Sequence, residues 1–541
     1  MPAKGNKVLI LDIEVDSEAG FPDIQKANSA ITAISYIDRT TGERTVLVLD
    51  IDGALQNTER ENVRIYPFLS EEELLLHFMD EYEIISPSII TGWNSDGFDV
   101  PYIYNRLKLL FGKRISNRLS PIGIVSYSNT LEKYRIAGVS SLDYMQMYKT
   151  FTYSEQPSYR LDAIGRLEVG MGKVEYEGSL DELFKSNIEK FIEYSLTDVL
   201  IIEKLDNKLK MIELVQNICS IGHVPYENFN HSSRYLEGTI LTYLHRKGII
   251  SPDKPAGGRE KMDELKESGI KGFIGAYVKD PIPGKYDWIY SLDLQSLYPS
   301  IIMSLNISPE AKIGRVKNWN SEEYLTNKLD SIKVSGTNDA DRIFTRDEFK
   351  EFLSKTKFGI SSNGVLYRDK EDKLGIIPEI LDVWFNDRLK YKNLMKKYTR
   401  EGNEELANFY DKRQHIQKIF LNAMYGCLGL PVFRFYDVDN AEAVTTSGQD
   451  VIKNSAKYLN TQYIKLLGED KDYILYVDTD SLYASAKSLD SNVDKAETIK
   501  WAREFESRLN KFYDNFALMF FNLSKHRLLI KGESVARRAF C

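Results

Sequence analysis

Tyr476-Val477-Asp478-Thr479-Asp480-Ser481-Leu482-Tyr483 is the stretch from which the rest of the chain is best approached. An apolar run from Tyr473 to Val477 enters two aspartates one residue apart, and a second alternation from Leu482 to Ser485 leaves them. This is the pattern of a β-hairpin with carboxylates at its tip. Asp and Thr are ordinary turn formers and need no further purpose. A second apolar strand, Trp288 to Leu294, however, delivers another aspartate, Asp293, at its end. Three carboxylates at the ends of neighbouring strands repel one another unless a cation lies between them. Oxygen ligands that leave room for water and phosphate suit Mg²⁺. The expectation is a two-metal phosphoryl-transfer site.

A chain of 541 residues forms several domains, and 43% apolar residues suffice to build their cores. Cys219, Cys427 and Cys541 have no metal-ligand spacing and point to a reducing compartment. No apolar run reaches membrane-spanning length and no signal peptide opens the chain, so the expectation is a soluble intracellular protein. The net charge of −8 is a weak argument against a nucleic-acid partner, because a local basic groove counts for more than the sum.

A second acidic group lies upstream. Val8 to Val15 reads as a buried strand, and period two puts Asp12 and Glu14 on one face. The loop from Thr91 to Tyr102 carries Asp99, which as an ordinary structural residue is a helix N-cap ahead of Pro101. Ser186 to Ile218 reads as one long helix or a broken pair, with Tyr194 and Asp198 on one face. Four acids can hold two divalent ions, and Tyr194 can orient a water. The order strand Asp-x-Glu, loop Phe-Asp, helix Tyr-x-x-x-Asp resembles the DEDDy type of 3′–5′ exonuclease, on a mixed sheet flanked by helices.

Ser251 to Gly284, rich in Pro and Gly, reads as a connecting segment with turns. Glycines in Gly272-Phe273-Ile274-Gly275-Ala276-Tyr277 either let backbone approach a phosphate chain or simply make a turn. After Asp293 the chain turns sharply before Pro299, which frees the N–H groups of Ser296, Leu297 and Tyr298 for a phosphate oxygen and the carbonyl of Leu294 for a metal. Tyr298 either walls off a sugar 2′ position or packs. Lys312 to Gly375 carries no functional signal; Arg346 to Ser354 is helix-like and Gly359 to Arg368 suits a hairpin. From Pro378 the pattern is an αα-hairpin broken at Gly402. Arg388 and Lys392 share one helical face, as do Lys418, Asn422 and Tyr425, and bases outnumber acids there. Lys418 stands among apolar residues, where a cation wants an anion such as a triphosphate.

Together these stretches are similar to family B DNA polymerases. Leu292 to Ile302 resembles motif A, Lys418 to Gly426 motif B, and Tyr476 to Ser481 motif C, with Val477 where Gly is commoner. The acidic stretches upstream resemble the family's three exonuclease motifs in the same order. Asn306 to Glu310 and Gly275 to Pro283 are similar to replicative polymerases of T-even-type bacteriophages. The resemblance implies an α+β multidomain fold: an RNase H-like exonuclease domain (1–220), a linker and N-terminal-domain-like segment (221–284), a palm in two parts (285–377 and 431–541, the second with the catalytic hairpin), and helical-hairpin fingers (378–430). It implies Asp293 and Asp480 as main metal carboxylates, Asp478 as a supporting one, and Leu294 as a carbonyl ligand. Ser296, Leu297 and Tyr298 would line the triphosphate, with Tyr298 excluding ribonucleotides. Arg388, Lys392, Lys418 and Asn422 would hold the incoming dNTP. Asp12, Glu14, Asp99 and Asp198 would hold the proofreading metals beside Tyr194. Two Mg²⁺ per site are expected, with Mn²⁺ as a substitute.

The chain opens within ten residues of the first exonuclease strand and closes on Lys531 to Cys541, ahead of the family's Lys-Lys-Arg-Tyr element. The expectation is that the thumb and part of the N-terminal domain are absent, either because a second polypeptide supplies the thumb and, through it, a sliding-clamp contact, or because the sequence is a fragment of a longer product or one half of a trans-splicing pair. Primer–template DNA is the expected substrate and the cytoplasm of an infected bacterium the expected location. The alternative is a 3′–5′ exonuclease whose polymerase half holds DNA without catalysis.

Overall fold

The computed structural model describes residues 5–540 apart from 19, 61, 130–131, 153–154, 269–274 and 337–340. The chain forms two compact units, one up to Gly238 and one from Thr239. Gly272, Phe273 and Ile274, where a phosphate approach was weighed, lie outside the described residues.

In the first unit, β1 (Val8–Val15), β2 (Ile31–Asp38), β3 (Arg44–Leu49), β4 (Thr58–Arg60), β5 (Val63–Phe68), β6 (Ile89–Thr91) and β9 (Ser140–Ser141) make one sheet in the order 4-5-3-2-1-6-9. β7 (Val125–Ser128) and β8 (Lys133–Ile136) form a separate hairpin. The sheet is mixed, as expected: β1 runs antiparallel to β2 and parallel to β6. Alternation along β1 divides the two faces. Leu9, Leu11 and Ile13 join a core with Val100, Tyr102, Ile103 and Leu107 of α1 (Asp99–Phe111). Asp12 and Glu14 point the other way and stand opposite the small residues Ser35 and Ala33. That second face is covered by α2 (Ile188–Leu209), whose Phe191, Ile192 and Tyr194 pack on Ala33, Val46 and Val48. Ser195 Oγ lies 2.7 Å from Ser35 Oγ and fixes the helix to the strand. The helical stretch after Ser186 is the broken pair: Lys210 takes a left-handed φ of 54°, and α3 (Met211–Gly222) follows.

In the second unit, β10 (Val278–Lys279), β11 (Lys285–Leu294), β17 (Ile474–Asp478), β18 (Ser481–Ser485) and β19 (Ile530–Phe540) form an antiparallel sheet in the order 10-17-18-11-19. The Ser251–Gly284 stretch is more than a connection, because it contributes β10 and a helix over Gly258–Ser268. α4 (Leu297–Leu305) follows β11 directly. A smaller sheet, β12 (Lys312–Val316), β13 (Ser331–Gly336), β14 (Arg342–Thr345), β15 (Gly359–Ile360) and β16 (Val365–Tyr367), has the order 14-13-12-16-15 and packs on α5 (Arg346–Thr356). The αα-hairpin is present as α6 (Ile376–Arg400) and α7 (Glu404–Leu428), with Gly402 at φ 71° between them. Trp384 meets Phe420 at its root and Tyr398 stacks on Tyr410 near its tip. α8 (Val438–Leu467) and α9 (Lys495–Phe521) back the larger sheet, with Tyr290 of β11 stacked on Phe505 and hydrogen-bonded to Tyr463. No helix among the described residues is long and apolar enough to cross a membrane.

α1 is pinned by one buried ion pair. Arg106 donates to both carboxylate oxygens of Glu71, at 2.9 and 2.5 Å, and to the Ala27 carbonyl, while Glu71 also accepts from the Ile31 N–H. Arg106→Ala leaves that carboxylate buried without its counterion and is expected to cost about 3–5 kcal/mol. Urea unfolding followed by proteolysis of the first unit measures the loss.

Candidate functional site

Two acidic centres arise, each on its own sheet. In the first, carboxylate oxygens of Asp12, Glu14 and Asp198 lie within 4.8 Å of one another. Asp99 is the first residue of α1 rather than its N-cap, which is Phe98. Its Oδ1 accepts the Ile13 N–H at 3.0 Å, so the buried side chain is turned toward β1 between Asp12 and Glu14. One peptide's shift in the helix start converts a cap into a carboxylate aimed at the sheet. Burial raises every acid of the group, and mutual repulsion adds to it for Asp12, Glu14 and Asp99. Burial, then Asp99, Asp198 and Glu14, push Asp12 well above the ordinary range. Burial and Asp198 carry Glu14 to about 8. Burial carries Asp99 to about 7 against the Ile13 hydrogen bond. Burial also raises Asp198, against the pull of Lys173.

Lys173 is absent from the residues singled out by sequence. Its ammonium hydrogen-bonds Asp198 Oδ2 and donates to the Tyr194 hydroxyl at 3.0 Å. Burial disfavours that charge, but Asp198, Tyr194 and Asp12 outweigh it and raise the Lys173 pKa. One lysine therefore supplies a single positive charge to four acids. Asp198 Oδ1 remains buried with no hydrogen-bond partner. The donor set, the orphaned oxygen and the excess of negative charge all fit divalent cations.

In the second centre, Asp293 is the penultimate residue of β11 and stands opposite Ser481, whose hydroxyl donates to its Oδ2 at 3.2 Å. Gln295 Nε2 donates to the other oxygen at 3.0 Å. Asp480 is tied to the same strand end through Leu294 N–H donating to its carbonyl at 2.9 Å. Between the hairpin acids, Thr479 holds a left-handed φ of 52°, a strained conformation for a β-branched residue. Its N–H donates to the Tyr277 carbonyl and its hydroxyl to Asp478, which holds the strained turn in place. Burial, then Asp293, push Asp480 up to about 6. Burial, then Glu533, raise Asp293. Glu533 is a second residue sequence reading missed. A bulge in β19 hands the place opposite Ser291 to Ser534 and leaves Glu533 unpaired beside the acids. Asp478 is exposed, and the three hairpin and strand aspartates do not close into a ligand cluster like that of the first centre.

Around this centre the remaining named residues converge in part. Ser296, at φ 50°, starts α4, so Leu297 and Tyr298 offer first-turn N–H groups that have no acceptor within the helix. Tyr298 lies 4.5 Å from Tyr425, ring to ring, and burial with the field of Asp480 pushes its hydroxyl up to about 12. Gly448 of α8 backs it: a Cβ there would meet Tyr298 Cε1 at 3.0 Å. On the hairpin, burial, then Arg388 and Lys392, lower Lys418. Burial, then Arg388, Lys396 and Lys531, lower Lys392. Lys531, one of the charges that lower Lys392, pairs with Asp293 across β19 and β11. Asn422 is exposed on the same helix as Lys418.

An acidic antiparallel sheet with a basic helical hairpin in one unit, and a mixed sheet with its own acid cluster in the other, define the class. The chain belongs to DNA polymerase family B: the family model matches residues 229–532, and the family B exonuclease-domain model matches residues 5–164. It is similar to the DNA-directed DNA polymerase of Escherichia phage RB69, 28% identical over 98% of this chain and 64% of that relative. It is also similar to the DNA-directed DNA polymerase of Enterobacteria phage T4, 29% identical over 88% of this chain and 58% of that one. DNA polymerase 1 of Sulfurisphaera ohwakuensis is 29% identical over 94% of this chain and 53% of its own length. The chain thus spans roughly three-fifths of the phage relatives it matches.

The raised acids of the first centre fix the sign of a pH dependence. Glu14 and Asp99 keep protons in the folded chain that the unfolded chain, near 4.5 and 3.8, has given up. Stability is therefore full below those unfolded values and falls as pH rises toward about 8. With a chelator present, the melting temperature of the first unit is expected to fall over that window, and Glu14→Gln to flatten the fall.

Proposed function

We propose that the chain is the catalytic part of a replicative DNA-dependent DNA polymerase with a separate 3′–5′ proofreading site; its phage relatives are named DNA-directed DNA polymerases, and the family B exonuclease-domain model matches its first part. The observation that supports the reading is that one unit holds both a crowd of cations, where burial and then Arg388 lower Lys392 and Lys418, and the Asp293 and Asp480 carboxylates at the strand ends, where burial and then Asp293 raise Asp480. A cluster of like cations and a cluster of like anions in one unit suit a substrate that is itself an anion held with cations, namely a nucleoside triphosphate.

Asp293 and Asp480, with the Leu294 carbonyl, would hold Mg²⁺ or Mn²⁺ at the palm, and Asp12, Glu14, Asp99 and Asp198 would hold it at the exonuclease centre. When bound, such ions neutralise developing charge and ready an attacking oxygen. The protein's own groups do the rest. Arg388, Lys392, Lys418 and Asn422 grip the triphosphate, and the first-turn N–H groups of α4 after Ser296 receive a phosphate oxygen. Tyr298, held between Tyr425 and Gly448, bounds the sugar and rejects a 2′-hydroxyl. The primer 3′-oxygen then attacks the α-phosphate in line and pyrophosphate leaves. At the other centre Tyr194, fixed by Lys173, orients a water toward the terminal phosphodiester. An RNase H-like organisation of the first sheet agrees with this use of its acids. The phage relatives support the cytoplasm of an infected bacterium as the place of action.

Asp480→Ala is expected to remove nucleotide incorporation by about a thousandfold, the loss of several kcal/mol of charge stabilisation, while sparing 3′-end degradation. Asp12→Ala should do the reverse, and Asp478→Ala should reduce incorporation less than Asp480→Ala. Primer extension and single-strand degradation, assayed in parallel, read all three. An Asp480→Ala chain that still extends primers sinks the palm assignment, whereas loss of degradation alone throughout would favour an exonuclease with a silent polymerase half.

Gly448→Ala tests the sugar wall. Its Cβ must push the Tyr298 ring, so KM for dNTPs is expected to rise severalfold with little change in melting temperature. In a Tyr298→Ala background the same substitution should have almost no further effect.

A further inference from the structure

The small sheet and α5 carry none of the palm acids or hairpin cations. Between α5 and the C-terminal end of α9 they form a cleft of about 550 Å³. α5 lines it with Arg346, Lys350 and Leu353, and Lys357 caps the helix just beyond; spacings of four, three and four put them on one side. Arg368, Lys370 and Lys525 come from the other side. Six bases thus meet two acids, Asp369 and Glu371, in a protein of net charge −8. Glu371 is engaged by Lys525 at 2.7 Å.

The cleft also has an apolar side and a fixed shape. Leu518 and Met519 of α9 border it with 53% and 57% of their surface exposed. Asn522, the cap of α9, donates to the carbonyls of Leu353 and Phe358 at 3.2 and 2.9 Å and so ties the two walls. Asn306 donates to the Arg368 carbonyl at 3.0 Å and holds the third. Its aromatic rings are already used: Tyr324 lies under Arg346 and against Trp319, and Phe520 stacks on Phe516. Single-stranded nucleic acid is held largely by stacking on free rings. A cationic rim beside exposed aliphatic side chains instead complements alternating carboxylates and apolar groups.

We propose that this cleft docks an acidic peptide segment of a partner protein, its carboxylates on Lys350 and Lys357 and its apolar side chains on Leu518 and Met519. The proposal stands independently of the polymerase reading.

Fluorescence anisotropy tests it with a labelled twelve-residue peptide of alternating Glu and Leu, a matched peptide of alternating Lys and Leu, and a twelve-nucleotide oligo(dT). The acidic peptide is expected to bind saturably and the basic one not to bind. Lys350 and Lys357 are exposed, so the double variant Lys350→Glu/Lys357→Glu should keep its melting temperature yet bind the acidic peptide about tenfold more weakly or worse. Leu518→Ala/Met519→Ala should weaken it severalfold, and oligo(dT) binding should not change in either. No saturable binding, or equal affinity in the charge-reversed chain, overturns the proposal. So does a loss of oligo(dT) binding with the peptide unaffected, which would assign the cleft to nucleic acid.

Discussion

Repulsion between like charges held at fixed positions is the constraint on which this molecule is built. Asp12, Glu14, Asp99 and Asp198 cannot drift apart, because a β-strand, a helix start and a helix face each hold one or two of them. Asp293 and Asp480 are locked by the pairing of β11 with β18 and by the Leu294–Asp480 backbone bond. Such gatherings weaken a fold, and the surrounding structure meets the cost differently at each centre. The first carries an internal cation, Lys173. The second is more open, and its Asp478 is exposed.

The difference bears on how each centre handles substrate. A cluster with its own ammonium is partly neutral before anything arrives. Tyr298 and Gly448 then add shape to charge: the glycine, costly in the middle of a helix by about 1 kcal/mol, is explained by the ring lying against it.

Much of this was legible in the sequence because it is local. Alternation gave β1 and the faces of Asp12 and Glu14. The Tyr473–Ser485 hairpin and the pair of helices around Gly402 follow from short-range pattern alone. Lys173 and Glu533 were not legible for the opposite reason. Lys173 sits in an irregular stretch without periodicity and reaches Asp198 only through the packing of α2. Glu533 is placed by a bulge whose position depends on its partner strand. Asp99 was seen but set one residue outside its helix, a boundary that backbone geometry alone decides. The β10 contribution was hidden by the prolines and glycines flanking it.

The hairpin of α6 and α7 can also be regarded as a lever. Each arm has 25 residues, and the part beyond the contact of Trp384 with Phe420 extends roughly 24 Å to the tip. A tilt of about 10° at that contact would carry the tip about 4 Å, but would move Arg388 and Lys418, which lie within about a turn of it, by only about 1 Å or less. The charged groups therefore ride where angular play is translated into small displacements, while the stacked tyrosines near the tip stiffen the outer part without having to be accurately placed.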